Sequence, residues 1–326
     1  MKIATAVIAA AIAIAAAPAD AETHRFVPTQ FYNTYSAAHP PALRIKPGDR
    51  VVTKTIDAAG TDWDGKSVGS GPNPQTGPFY VEGANPGDTL AVKLLKVRLN
   101  RDSAGSGKTM MWNALSPGYV KDTKDDKNVE PRWTLQDGVA SLTKPTPALK
   151  SFRVPTKPML GCVGVAPRGG DVINTRDSGD HGGNMDYNQI QEGTTVYLPV
   201  FQPGALLFVG DGHAAQGDGE LTGDALETSM NIEFQVDVIP GKSIGMPYAE
   251  NDEFLMMLGI GGSLDQALQR ATTAMARWLE REYKLNSNEA ALVMGFAVKY
   301  DIADLVGTQV AIAAKLPKTT LAQLNQ

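Results

Sequence analysis

Cysteine is almost absent: Cys162 is the only one in 326 residues, so no disulfide can form within the chain. An exported protein without disulfides relies on its apolar core, on a bound metal or on association with further copies. Histidine is nearly as scarce, with four residues at positions 24, 39, 181 and 213, so each imidazole can be accounted for in turn. Basic runs are missing, and 30 Lys and Arg against 35 Asp and Glu leave a formal net charge of −5. Without a basic patch interleaved with aromatics, a nucleic-acid partner is not expected. Beyond the N-terminus no apolar run approaches the roughly 20 residues that span a bilayer, so no membrane partner is expected once the N-terminal segment is removed. There is no G-x-S-x-G nucleophile elbow, and the glycines at 168–170 and 182–183 lack the lysine and spacing of a phosphate loop. Glycine and proline are plentiful, at 33 and 21. That density of turn formers excludes a helix-dominated fold.

The first 21 residues read as a leader. Lys2 precedes an apolar run over 4–17, and Ala19-Asp20-Ala21 suits a signal peptidase cutting before Glu22. A periplasmic or secreted location follows as the expectation. Residues 22–240 read as a mainly β body. Three Pro-Gly pairs, at 47–48, 86–87 and 203–204, each open a strand-like run and suit type II turns. Further strands are expected over 159–166, 194–201 and 225–239. In the last of these Met230, Ile232, Phe234, Val236 and Val238 alternate with polar residues, giving one packed face. The segment 100–137, with DTKDDKN at 122–128, has no clear period and reads as a loop or excursion near a site mouth. Residues 241–326 read as a smaller α/β portion packed on the body. Ser263 with Gln266 marks a helix start, with Leu264, Leu268, Ala271, Met275, Trp278 and Leu279 at helical spacing, and a second helix is expected over 288–298.

The chemistry concentrates in two glycine-rich stretches, SGDHGGNMD at 178–186 and GDGHAAQGDGE at 210–220. Imidazole nitrogen and carboxylate oxygen are the donors of catalytic divalent-metal sites. Residues two apart on an extended chain point the same way, which pairs Asp211 with His213 and Asp218 with Glu220. Asp186 lies five residues after His181, and Asp57 ends a strand beside small residues. A single His in a glycine-rich loop is more often an exposed or capping residue, and Asp-Gly pairs are mostly turns. Two such clusters separated by strands are what raise the case for a metal or acid–base site. Cys162 lies in the apolar run MLGCVGVAP, where an inert buried thiol is the default.

These segments, with NPQTGPFYVEGANPGDTLAV at 73–92, LGCVGVAPRGG at 160–170 and the longer GTTVYLPVFQPGALLFVGDGHAAQGDGEL at 193–221, resemble the acetamidase/formamidase family, in the family's order. The resemblance implies a mainly β fold with sandwich or jelly-roll-like parts, hydrolysis of small amides to carboxylate and ammonia, and a divalent metal. Zinc is the first expectation; iron, manganese and nickel suit the same donors. The ligands expected are Asp57, His181, Asp186 and His213, with Asp211 a ligand or an orienting partner. Glu220 is expected as the acid–base group, with Asp218 as the alternative. Asn184 and Gln216 are expected to hold the substrate amide, and the amides of Gly182 and Gly183 its developing oxyanion. GELTGDALETS at 219–229 is looser than the family's run, so no role is carried onto Asp224 or Glu227. Two alternatives stand beside this reading: an exported hydrolase of cyclic amides on the same fold, and a non-catalytic metal- or ligand-binding sandwich. A homo-oligomer is the expected assembly.

Overall fold

The computed structural model describes residues 21–325. The expected leader therefore lies outside the described residues except for Ala21. From Glu22 onward the chain is tied down: the Glu22 N–H donates to Asp49 Oδ1 at 2.8 Å, and the strand Thr23–Arg25 pairs in parallel with Arg50–Lys54.

Two large sheets stack face to face. The nine-stranded sheet runs in the order Thr23–Arg25, Arg50–Lys54, Met230–Ile239, Thr89–Leu99, Thr195–Pro199, Tyr248–Glu250, Phe254–Gly261, Val310–Pro317 and Lys299–Asp304. The second sheet is built round Leu207–His213, flanked by Met159–Gly164 on one side and Glu227–Thr228 on the other, with Thr76–Val81 also paired to it. Val51, Leu90, Val92, Ile232 and Phe234 of the first sheet meet Phe79, Leu160, Val163, Leu207 and Val209 of the second in one fully buried core. This is the packing of a β-sandwich. The period-2 reading of the strand Met230–Ile239 holds: Met230, Ile232, Phe234 and Val236 are buried while Asn231 is exposed. The three Pro-Gly turns carry positive φ at Gly48, Gly87 and Gly204, at 91°, 96° and 77°, which a type II turn requires of its third residue.

Two regions differ from the sequence reading. The segment 100–137 is not a plain loop. It contributes the strands Ser103–Gly105 and Arg132–Gln136 to the second sheet and a short helix, Pro117–Asp122. Strands of three and five residues are too short to show a period. Towards the C-terminus, the strands after residue 240 extend the body's own nine-stranded sheet instead of forming a separate one. The helix Leu264–Tyr283 packs on them with Ser263 Oγ accepting from the Gln266 N–H. Its buried stripe is Ala267, Ala271, Met275 and Leu279, whereas Leu264 and Leu268 are each 39% exposed. The helix approaches Gly259 so closely that a Cβ there would stand 2.0 Å from the Ala267 carbonyl oxygen; Ala267 and Ala271 fit against it, and Leu264 and Leu268 lie to the side. The second helix, Ser287–Ala297, starts on a complete capping box of Asn286 and Glu289.

Candidate functional site

The strand Leu207–His213 is buried at every position, and its last residues deliver Asp211 and His213 to one end of the second sheet. Adjacent pairing brings the others. Met159–Gly164 places Gly161 beside this strand, the chain leaving Gly182–Asn184 supplies Asp186, and Glu227 lies in register with His213. Glu220 comes from the turn that follows. Asp304 is drawn in through a bridge with Gly219.

His213 Nε2 is the focus of this cluster. It stands 3.1 Å from Glu227 Oε1, 3.3 Å from Asp211 Oδ1, and 3.9 Å from both Asp186 Oδ1 and Glu220 Oε1. Its other nitrogen, Nδ1, lies 2.8 Å from Gln216 Oε1, and the Gln216 amide is oriented by donating its Nε2–H to the Asp186 carbonyl. An amide oxygen only accepts, so Nδ1 carries the hydrogen and Nε2 faces the acids. Behind the acids runs a relay of amides. Gln75 Nε2 donates to Asn73 Oδ1 at 2.9 Å; Asn73 Nδ2 donates to Asn184 Oδ1 at 2.8 Å and to Asp211 Oδ2 at 2.9 Å; Asn184 Nδ2 donates to Asp186 Oδ2. The relay holds one oxygen of each aspartate and leaves both Oδ1 atoms towards His213. Glu220 and Glu227 share a donor, each accepting from the Ala225 N–H at 2.9 Å.

The arrangement fits a divalent cation. His213 Nε2, Asp186 Oδ1 and Glu227 Oε2 are buried without a hydrogen-bond partner among the described residues, a costly condition for groups of this polarity unless something binds them. Asp186, His213 and Glu220 form one possible ligand set and Asp211, His213 and Glu227 another. Both use the same imidazole. Gly161 makes the room: a Cβ there would lie 2.3 Å from Asp186 Oδ1, 2.6 Å from Asp211 Oδ2 and 2.9 Å from His213 Cε1. Backbone strain gathers here too. Among the described residues, four of the eight non-glycine residues with positive φ are Asn73, Asp186, Asp211 and Glu220, a conformation that costs about 1–3 kcal/mol per residue and concentrates at functional sites.

Charge repulsion tells the same story. Burial, then the neighbouring acids, push Asp186, Glu220 and Asp304 well above the usual carboxylate range. Burial raises Glu227 to about 7. For His213 burial acts downward, but the charges of Glu227 and Asp211 outweigh it and hold the imidazole well above its ordinary value. Burial would raise Asp211 as well, yet His213 and the Asn73 amide keep it low. A bound cation would relieve this crowding.

Several residues expected at the site stand elsewhere. Asp57 Oδ2 is ion-paired with Arg101 Nη2 at 2.6 Å, and its Oδ1 accepts from the Ala59 and Thr61 N–H groups; it lines the cavity but belongs to neither ligand set. His181 is fully buried against Tyr35, with ring centroids 5.0 Å apart, and belongs to neither ligand set. Asp218 is exposed and accepts from Asn188 Nδ2 at 2.7 Å. Gly182 and Gly183 pair with Gly164 and Val163 inside the sheet, away from the cavity wall. Gln216 holds His213, and Asn184 holds Asp186. Glu227, Asn73 and Asp304 are the residues the sequence reading left without a role. Cys162 lies behind the relay, its Sγ donating to Asn184 Oδ1 at 2.9 Å; burial and the charges of Asp211 and Asp186 push its thiol well up, the condition of an unreactive sulfhydryl.

Asp186, Asp211, Glu220 and Glu227 open onto a cavity of about 680 Å³. The Acetamidase/Formamidase family model matches residues 21–173 and 168–320. The chain belongs to the acetamidase/formamidase family. Among family relatives, a formamidase of Methylophilus methylotrophus is 25% identical over 268 residues, covering 64% of each chain. An acetamidase of Mycolicibacterium smegmatis is 32% identical over 139 residues, covering 39% of this chain and 34% of its own. The chain thus spans under two thirds of the length of these curated relatives. Among solved structures, a predicted acetamidase/formamidase from Thermoanaerobacter tengcongensis superposes with a TM-score of 0.78 at 28% identity, over 93% of this chain and 98% of that one. An acetamidase from Bacillus halodurans gives 0.78 at 26% identity, over 93% and 100%. A gamma lactamase from Delftia acidovorans, at TM-score 0.56 and 20% identity over 92% and 93%, shares the fold.

Proposed function

We propose that this protein hydrolyses small linear amides to a carboxylate and ammonia with the help of a divalent metal, zinc being the first candidate. The observation that carries the reading is the cluster itself: one imidazole nitrogen and two carboxylate oxygens, buried and without a hydrogen-bond partner among the described residues, beside a cavity in a member of this family.

Asp186, Asp211 and His213 are the residues proposed to hold the metal, since they converge over Gly161. Such an ion polarises a carbonyl and lowers the pKa of a bound water towards 7. The chain's own groups do the rest. Gln216 keeps His213 in the tautomer whose Nε2 faces the cluster. Asn73 and Asn184 keep the aspartate Oδ1 atoms turned inward. Glu220 and Glu227, held side by side by one N–H, are the proposed proton carriers: an amide nitrogen leaves only once protonated, and a carboxyl pair can take a proton and return it to that nitrogen. Asp218, exposed and bonded to Asn188, is not proposed for this work.

Release of ammonia from formamide, acetamide and propionamide, before and after chelation and metal restoration, tests the reading. The expected result is release that disappears with the metal and returns with it; metal-loaded protein that cleaves no amide would overturn it. A five-membered lactam in the same panel decides the cyclic-amide alternative. We also propose that residues 1–21 direct export and are removed, supported by Lys2, the apolar run and Ala19-Asp20-Ala21; a mature N-terminus other than Glu22 in protein recovered from outside the cytoplasm would contradict it. A homo-oligomer is proposed because a chain with one cysteine has no disulfide to rely on, and sedimentation tests it.

A further inference from the structure

We propose that the amide cleaved here carries a carboxylate at its far end, and that Arg132 binds that carboxylate. The proposal rests on the amide reading and names its substrate class.

The cavity is larger than the simplest amides require. At about 680 Å³ it falls within the range that encloses drug-sized ligands, whereas formamide and acetamide have three and four heavy atoms. Its charges are distributed unevenly. Four wall acids form the inner cluster, and Asp57 is spent on Arg101. Arg176 faces the charge of Asp224. The Arg132 guanidinium, exposed and lining the same cavity, makes no ion pair or hydrogen bond among the described residues, as Arg176 makes none through its side chain, and no acid is paired with it. An uncompensated guanidinium in the wall of an otherwise acidic cavity suits an anion.

Strand register fixes where that guanidinium lies. His213 pairs with Glu227, Glu227 with Gly105, and Gly105 with Arg132. Directly opposed residues share a face of the sheet, so these four form one row across four strands. Gly105 leaves a gap in the row, and Arg132 folds into it: its Nη1 lies 3.0 Å from where a Gly105 Cβ would stand. The guanidinium thus reaches back from its own strand towards Glu227. With adjacent strands about 4.8 Å apart, it sits about one to two strand spacings from the cluster, roughly 5–10 Å. A carboxylate gripped by the planar fork of an arginine, with an amide carbonyl at the cluster, leaves room for a short carbon chain between them. The fitting class is the half-amide of a short dicarboxylic acid, such as succinamate or glutaramate. The acidic cluster would repel such an anion, and Arg132 supplies the opposing charge at the needed end. Both Gly105 and Arg132 come from the polar excursion at 100–137, which lines this cavity.

The test compares kcat/KM for glutaramate with that for valeramide, the neutral amide with the same five-carbon chain. The metal-loaded wild type is expected to favour glutaramate by about tenfold or more, as hydrogen bonds to a charged group warrant. In Arg132→Gln the ratio falls towards one, and Arg132→Lys lies between. Glutarate, which has no amide to cleave, is titrated calorimetrically in parallel and should bind Arg132→Gln at least about tenfold more weakly. A wild-type ratio near one, or a variant that keeps both the ratio and the glutarate affinity, overturns the proposal. If neither amide is cleaved, the hydrolase reading fails, while the glutarate titration still decides the role of Arg132.

Discussion

Asn73 holds one acid of the cluster and the amide that holds another, and nothing in its local sequence marked it. It sits in a proline- and glycine-rich stretch with φ at 47°, yet its amide donates to both Asn184 and Asp211. Partners one step behind metal ligands commonly carry about 10- to 100-fold in metal affinity. Asn73→Ala should therefore bind metal about 10- to 100-fold more weakly, read by competition with a chelating dye, and Asn73→Asp should be worse because it turns a donor towards Asp211 into a further acid. Wild-type affinity in both would show the relay to be incidental. His181 teaches the opposite lesson. Its glycine-rich surroundings look like those of His213, but burial against Tyr35 drops its pKa to about 4. The folded imidazole stays neutral where the unfolded one, near 6.5, takes up a proton. The associated stability is thus complete above pH 6.5 and is lost as the pH falls towards 4, by about 3 kcal/mol. The stability difference between wild type and His181→Gln, from urea midpoints across that window, should shrink by about this amount on acidification. A difference independent of pH would place a hydrogen-bonded, ionisable imidazole there instead.

Strand pairing explains which site residues were legible. Asp211 and His213 lie two apart on one strand, so local spacing sufficed. Asp186, expected from its own stretch, stands beside His213. Glu227 and Asp304 enter only through register, Glu227 opposite His213 and Asp304 by its bridge to Gly219, and no local pattern encodes that. His181 and Asp57 stand apart from the cluster for the complementary reason: a local composition suited to ligation says nothing of where the neighbouring strand places the ring or which arginine arrives first. The strand Met159–Gly164 shows what an element contributes beyond its ligands, since Gly161 has no side chain and yet sets the spacing of three others. Gly161→Ala should keep the sheet, seen as unchanged far-ultraviolet circular dichroism. Overpacking of this kind costs about 1–3 kcal/mol, and the shift of Asp186 and Asp211 should lower metal content at least about tenfold. Full metal content in Gly161→Ala would mean that these carboxylates do not converge on an ion.

For the molecule as a whole, the fold class was readable because glycine, proline and period-2 alternation are global signals. The Pro-Gly turns, the long strand Met230–Ile239 and both C-terminal helices appear close to where the sequence places them. The α/β portion did not separate from the body, since its strands find their partners in the sheet already formed. That sheet and its partner bury one core between them and leave the acidic cluster at one end, where a cavity reaches it. The most direct test of the account is ammonia release by purified mature protein of known metal content, assayed as isolated, after chelation and after metal is restored. The account predicts one metal-dependent activity on a linear amide, abolished by chelation and recovered on reloading. Release that survives complete removal of metal and disappears in Cys162→Ala would contradict it.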